Sequence, residues 1–283
     1  MSVKSALVWF FLLTIGFEAR SQNEKWKAWE VEADTLLNHQ DFEGAVKLYS
    51  KIIDASGLKV KSTFTAVYKR AICYYNLNDF KQALHDLEVF MPEFPDNEHA
   101  RLLRAFVYKG LGDADHQLAD LNALLASQPA NRELLQWRAS VYLEKGKYPD
   151  AKIDLLAVKA IHDDAETEMF LGTAYFYEGH PDSALLSLNK AIELDATYLP
   201  SYLYAGFFCL QENEYKMSVK YLDLALKLDP ANTAALFYKG VALVELKQEK
   251  EGCRCLTKAF NAGEDDAADY LKEYCYEDQN LQN

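Results

Sequence analysis

Residues 171–188 read LGTAYFYEGHPDSALLSL. Gly172 and Tyr175 are three positions apart, and Ala184 and Leu188 are four apart. Such offsets put side chains on one face of a helix. Gly179 lies between the two pairs, and glycine tolerates the left-handed conformation that ends a helix. The stretch therefore reads as helix, turn, helix. A small residue on each helix allows a close approach, and large apolar residues fill the space on either side.

The same pattern runs outward in both directions. Aligned on Ala184, the equivalent positions are Ala45, Ala83, Gln117, Ala151, Ser218 and Gly252, at intervals of 38, 34, 34, 33, 34 and 34 residues. Twelve residues before each lies a small residue: Ala33, Ala71, Ala105, Ala139, Gly172, Gly206 and Gly240. Four residues after each lies a large one: Tyr49, Leu87, Leu121, Leu155, Leu188, Leu222 and Leu256. Turns are expected at Gln40-Asp41, Asn78-Asp79, Gly112-Asp113, Gly146-Lys147, Gly179-His180, Asn213-Glu214 and Lys247-Gln248. The long first interval places its excess in a loop over 54–61, and Gln117 departs from the small-residue rule. A single hairpin cannot bury both of its faces, so such units stack on one another.

Seven units in register resemble the tetratricopeptide repeat. Pro95, Pro129 and Pro230 match the proline that follows the family's second helix. The resemblance covers about residues 25–264 and implies an all-α, right-handed α-solenoid of seven helix-turn-helix units, over 22–264. Residues 265–283 read as a capping helix, over 265–276, and a frayed tail; a terminal repeat needs a polar cap. Asp265 and Asp266 suit the helix's amino end.

In the family, the first helices line a concave groove that holds a partner. Carried over position by position, the apolar groove candidates are Tyr68, Ile72, Tyr75, Leu102, Phe106, Met169, Phe176, Tyr177, Leu203, Phe207 and Phe237. Glu30, Asp34, Glu133, Glu144, Glu166 and Glu245 form an acidic rim. The implied partner is another protein: an extended peptide or an amphipathic helix with apolar and basic residues. The alternative for each side chain is packing between neighbouring helices. The Lys and Asn clamp with which some family members hold a terminal carboxylate is absent, because the ninth positions are Asp34, Ile72, Phe106, Ser140, Thr173, Phe207 and Val241.

Composition is that of a folded globular chain. The chain has 283 residues, half of them hydrophobic, and a formal charge of −13. That balance opposes binding to nucleic acid through a basic face. Residues 6–17, ALVWFFLLTIGF, follow Lys4 and precede Ala19-Arg20-Ser21. Charged start, short apolar core and small-x-small end read as a signal peptide over 1–21. An uncleaved anchor helix is the alternative. The expectation is export to the periplasm or cell exterior, with no cysteine at the cut for lipid attachment and no span elsewhere.

Five cysteines remain beyond that segment. Cys73 and Cys209 lie mid-helix and read as core. Cys253 and Cys275 are equidistant from Glu264, the midpoint of the last helix pair. Antiparallel helices bring them level, so a disulfide between them is expected, and it would stabilise the cap by about 3 kcal/mol. A metal site there is disfavoured because no histidine has ligand spacing.

Nothing in the chain reads as catalytic machinery. The six histidines are scattered, Gly110-Leu111-Gly112 lacks the third glycine of a phosphate-binding fingerprint, and Asp223 stands alone between leucines. His162-Asp163-Asp164 reads as a solvated turn, and the other carboxylates as mostly solvent-facing. No enzyme activity and no cofactor are expected. The reading is a non-enzymatic interaction scaffold. Beside it stand a component of an outer-membrane assembly or secretion complex, and an enzyme or ligand carrier with the groove as pocket. Self-association through the groove is a further possibility.

Overall fold

The computed structural model describes residues 25–56 and 61–275, without the side chains of 61 and 62. The signal-peptide reading over 1–21 and the tail beyond Cys275 lie outside these residues. The described chain is all-α and forms two compact units that meet in sequence at Gln128 and Pro129.

The first unit holds three hairpins. Helix α1 spans 25–38, followed by α2 (Phe42–Ser56), α3 (Lys61–Asn76), α4 (Phe80–Phe90), α5 (Glu98–Leu111) and α6 (Ala114–Ser127). The second holds four hairpins and a cap: α7 (Arg132–Glu144), α8 (Tyr148–Ile161), α9 (Ala165–Tyr177), α10 (Pro181–Leu194), α11 (Leu199–Gln211), α12 (Tyr215–Leu228), α13 (Thr233–Glu245), α14 (Glu249–Asn261) and α15 (Ala267–Tyr274). Within each unit, successive helices pack in order along the chain. No described helix is long and apolar enough to cross a membrane.

The aligned positions are the hairpin cores. Ala33, Ala71, Ala105 and Ala139 are fully buried, as are Ala45, Ala83, Ala151 and Ala184. Tyr49, Leu87, Leu121, Leu155, Leu188, Leu222 and Leu256 are also fully buried. The small residues are needed for contact. A Cβ on Gly206 would stand 2.5 Å from Leu222 Cγ, closer than packed carbons approach. Gln117 occupies its small-residue slot buried, with its Nε2 unpaired.

All seven expected turns have one residue in the left-handed region. Gly112, Gly146 and Gly179 take it without strain, while Gln40, Asn78, Asn213 and Lys247 take it with a side chain. Asparagines recur at the entry to the first helix of a hairpin: Asn97, Asn131 and Asn232 accept from the backbone N–H three residues on.

Three local expectations change. The loop over 54–61 is shorter, because α2 runs on to Ser56, whose hydroxyl donates to Ile52 O at 2.6 Å and meets Thr63 Oγ1 at 2.8 Å. The cap is shorter than 265–276: α15 starts at Ala267 and ends at Tyr274. Its buried residues, Ala267 and Leu271, define the turn that touches the core, and Asp265 precedes it in a turn.

The carboxylates are the third correction. Asp86, Asp120 and Asp154 are buried, not solvent-facing. Each accepts two parallel hydrogen bonds of 2.8 and 2.7 Å from Arg70, Arg104 and Arg138 respectively. Each guanidinium also lies 5.7–5.9 Å from the ring of a tyrosine four residues on, Tyr74, Tyr108 or Tyr142. A buried carboxylate persists only when paired and hydrogen-bonded. Asp223 is likewise paired, with Lys239 at 2.7 Å. In the supposed solvated turn, Asp164 caps α9 through Thr167 N and pairs with Arg132.

Candidate partner-binding site

In the first unit the candidate tyrosines pack onto rings of the same unit. Tyr68 stacks on Phe90 at 5.0 Å, and burial raises its phenol pKa. Tyr75 lies 6.0 Å from Phe80 and 6.1 Å from Phe106. Phe80 covers Gly110, where a Cβ would fall 2.6 Å from its ring. Ile72 and Leu102 are half-buried, and Phe106 is the most open of the set, 38% exposed. Of the rim, Asp34 is engaged: it accepts from Tyr49 Oη at 2.6 Å and from Lys69 Nζ at 2.7 Å.

The second unit has an open cavity. Tyr177 at the end of α9, Leu203, Tyr204 and Phe207 on α11, and Ala234 and Tyr238 on α13 surround about 380 Å³. Tyr177 is 48% exposed and Tyr204 37%. These three helices are the first helices of successive hairpins, and α11 packs directly against both α9 and α13. The spacing explains the convergence: Tyr204 and Tyr238 are 34 residues apart, one repeat.

Ring contacts extend this cavity. Phe207 meets Tyr238 at 5.0 Å, and Tyr177 stacks on Tyr148 at 5.1 Å. Phe176 stacks on buried Phe208 at 3.9 Å and is not part of the cavity wall. Phe237 points toward the cap and meets Tyr270 at 5.7 Å. Met169 is a correction: it is 4% exposed, packed in the core. Helix α9 is covered by neighbours on both sides, so a position that is open in a lone hairpin is closed in a stack. Thr173 and Val241 are buried for the same reason.

The setting is electronegative. Burial raises the pKa of Tyr238, and Glu264, Tyr204, Tyr177 and Asp266 add to the shift. Burial also pushes Tyr198 up to about 12, with Glu166 and Asp164 contributing. Glu166 accepts from Gln136 Nε2 at 2.6 Å. Large aromatic area beside carboxylates offers contact for apolar side chains and for cations.

Of the expected groove, Tyr177, Leu203 and Phe207 come together around the cavity. Reading from the residues missed Tyr204 and Tyr238, although their 34-residue recurrence was a visible signal. It also missed Tyr148, which extends the ring surface from α8. Among the described residues no group of three or more His, Cys, Asp or Glu could hold a metal ion.

Cys253 on α14 and Cys275 at the end of α15 stand side by side as a disulfide, with Cα atoms 5.7 Å apart. Cys73, Cys209 and Cys255 are free and buried.

The geometry defines a class first: an all-α helical-repeat solenoid, built from stacked hairpins with an open aromatic cavity in the second unit. Family models of the tetratricopeptide repeat match residues 30–98, 169–198 and 199–232. Residues 30–98 and 169–232 are thus tetratricopeptide repeats. Solved structures agree on the fold. A tetratricopeptide repeat protein from Parabacteroides merdae ATCC 43184 superposes with a TM-score of 0.69 at 14% identity, over 87% of this chain and 97% of that one. The C-terminal part of a repeat-containing protein from Cytophaga hutchinsonii gives 0.63 at 17%, over 85% and 98%. The protein MamA gives 0.51 at 21%, over 62% and 97%. A search of curated proteins by sequence finds no match.

Proposed function

We propose that this protein is an interaction scaffold whose second unit holds a segment of another protein in the aromatic cavity between α9, α11 and α13. The observation that carries this reading is the cavity itself. About 380 Å³ lined by three tyrosines, Phe207, Leu203 and Ala234 is apolar, open and beside carboxylates. Rings of this kind bury much area at small entropic cost. The complementary ligand is an extended peptide or an amphipathic helix that inserts an apolar side chain and presents Lys or Arg to Glu264 and Asp266. The net charge of −13 favours the same partner over long range.

We propose that this activity lies outside the cytoplasm, in the periplasm or beyond; the charged start, short apolar run and small-x-small end of residues 1–21 support that reading. Cleavage after Ser21 is read out directly by the mass of the exported chain.

Selection of random peptides on the immobilised full chain tests the site. Enriched peptides should combine aromatic or aliphatic residues with Lys or Arg, and Tyr204→Ala or Phe207→Ala should weaken them at least tenfold. Enrichment that is indifferent to both substitutions, or no enrichment, contradicts the reading.

A further inference from the structure

The cap is joined to the cavity by a chain of contacts. Helix α15 has eight residues and touches α13 and α14. A helix that short has little stability of its own. Its apolar seat is small: Ala267 and Leu271 enter the core formed by Leu236, Val241, Val244, Leu256 and Ala259. Tyr270 lies edge-on to Phe237 at 5.7 Å, and Phe237 meets Tyr238 at 5.5 Å, which lines the cavity. The turn between α14 and α15 carries Glu264 and Asp266, both close enough to Tyr238 to oppose its ionisation. At the far end of the cap, Cys275 joins Cys253 across 22 residues of sequence. One end of this loop is thus covalently fixed, and the other is charged.

We propose that the Cys253–Cys275 cystine is a redox latch, which when closed holds Glu264 and Asp266 as an acidic wall beside the aromatic cavity to receive a basic side chain of the bound segment. This rests on the cavity being the binding site. The co-reactant is a dithiol. Its first thiolate attacks one cystine sulfur, forming a mixed disulfide and expelling the other cysteine as thiolate. Its second thiolate then displaces the remaining cysteine. Two electrons pass to the cystine, the dithiol leaves as a disulfide, and each freed cysteine takes up a proton. With the bond open, α15 is held by Ala267, Leu271 and the half-buried rings, and by turn hydrogen bonds such as Glu264 N–H to Ala259 O at 3.0 Å, and the wall loses its covalent brace at Cys275.

Hydrogen exchange and peptide binding on the full chain separate the two parts. Exchange is followed in 264–275 for the oxidised chain, the chain after dithiothreitol, and the Cys253→Ser/Cys275→Ser variant, with α7–α12 as the control for folding. Opening the latch should speed exchange in α15 at least tenfold and leave α7–α12 unchanged. The binding probe is an 18-residue helical peptide of Leu, Phe and Lys with apolar residues at i, i+3, i+4 and i+7. Reduction should weaken it at least fivefold, and Glu264→Gln/Asp266→Asn should weaken it similarly in the oxidised chain, more strongly at low salt. Protection of α15 that survives reduction overturns the latch. Binding that ignores the cap but responds to Phe207→Ala overturns the wall and leaves the cavity standing. Absence of binding to the oxidised chain overturns the wall together with the cavity reading, while exchange still decides the latch.

Discussion

Arg104 holds Asp120 through two parallel hydrogen bonds of 2.8 and 2.7 Å, with the carboxylate 3% exposed and the guanidinium 21%. The same pair recurs as Arg70–Asp86 one repeat earlier and as Arg138–Asp154 one repeat later in sequence. One repeat after Arg138–Asp154, Leu171 and Ser187 take these places, and Leu171 is 1% exposed. The site thus accepts either a matched ion pair or neutral residues. Asp120→Ala leaves a guanidinium without its counter-charge and should cost about 3 kcal/mol. Replacing both residues, as Arg104→Leu/Asp120→Ser, should recover most of that loss. Urea unfolding followed by circular dichroism measures both, and equal losses in the single and double variants would refute the pairing.

Gly206 faces Leu222 with no room for a methyl group, at 2.5 Å from an added Cβ to Leu222 Cγ. Gly206→Ala should destabilise the second unit by about 1–3 kcal/mol through overpacking. Adding Leu222→Ala should recover part of the loss, since the two residues compete for one space. Strictly additive losses in thermal melts would place the strain elsewhere.

The turns differ in what they demand. Lys247 and Gln40 sit at φ near 61° and 62°, where a Cβ is disfavoured. Lys247→Gly should stabilise by up to about 1 kcal/mol. Gly179, at φ 83°, should lose about 1 kcal/mol as alanine. Opposite signs at equivalent turns are the expected outcome, measured by urea unfolding.

Alkaline pH should loosen the fold. Burial lifts Tyr198 from about 10 to about 12, and lifts the Cys73 and Cys209 thiols from about 9 to about 11. These groups are raised in the folded chain, so unfolded copies release protons first. Their contribution is complete below the unfolded values and declines as pH rises, between about 9 and 11 for the thiols and about 10 and 12 for the tyrosine. Urea midpoints should fall across pH 9–12, and Tyr198→Phe should flatten the upper part of that fall. Native Cys73 and Cys209 should resist alkylation at pH 8, since the thiolate is the reactive form. A flat stability profile, or rapid labelling, would contradict this.

The repeat frame was legible because helix–helix approach dictates residue size at fixed offsets. Ala71 against Ala83, or Gly206 against Leu222, is a steric requirement, and steric requirements recur with the period. The Arg–Asp pairs also recur, at 70 and 86, 104 and 120, and 138 and 154, but a charged residue read singly looks like surface. Met169 was misplaced because its burial comes from neighbouring hairpins, which position counting within one unit does not see. Tyr204 and Tyr238 escaped because they flank the family's fifth position instead of occupying it. The cavity they line depends on how α9, α11 and α13 pack, which no single repeat encodes.

The most direct measurement replaces Tyr204 with a photocrosslinking benzoylphenylalanine in the full chain, and Leu186 on α10 in a second chain as the outward control. Leu186 is 73% exposed and belongs to no cavity wall described above. Illumination in the native compartment, followed by sequencing of the joined peptide, should give one partner segment at Tyr204 that carries apolar residues with Lys or Arg, and none of it at Leu186. Equal capture at both positions, or a segment at Tyr204 without basic residues, would contradict the account.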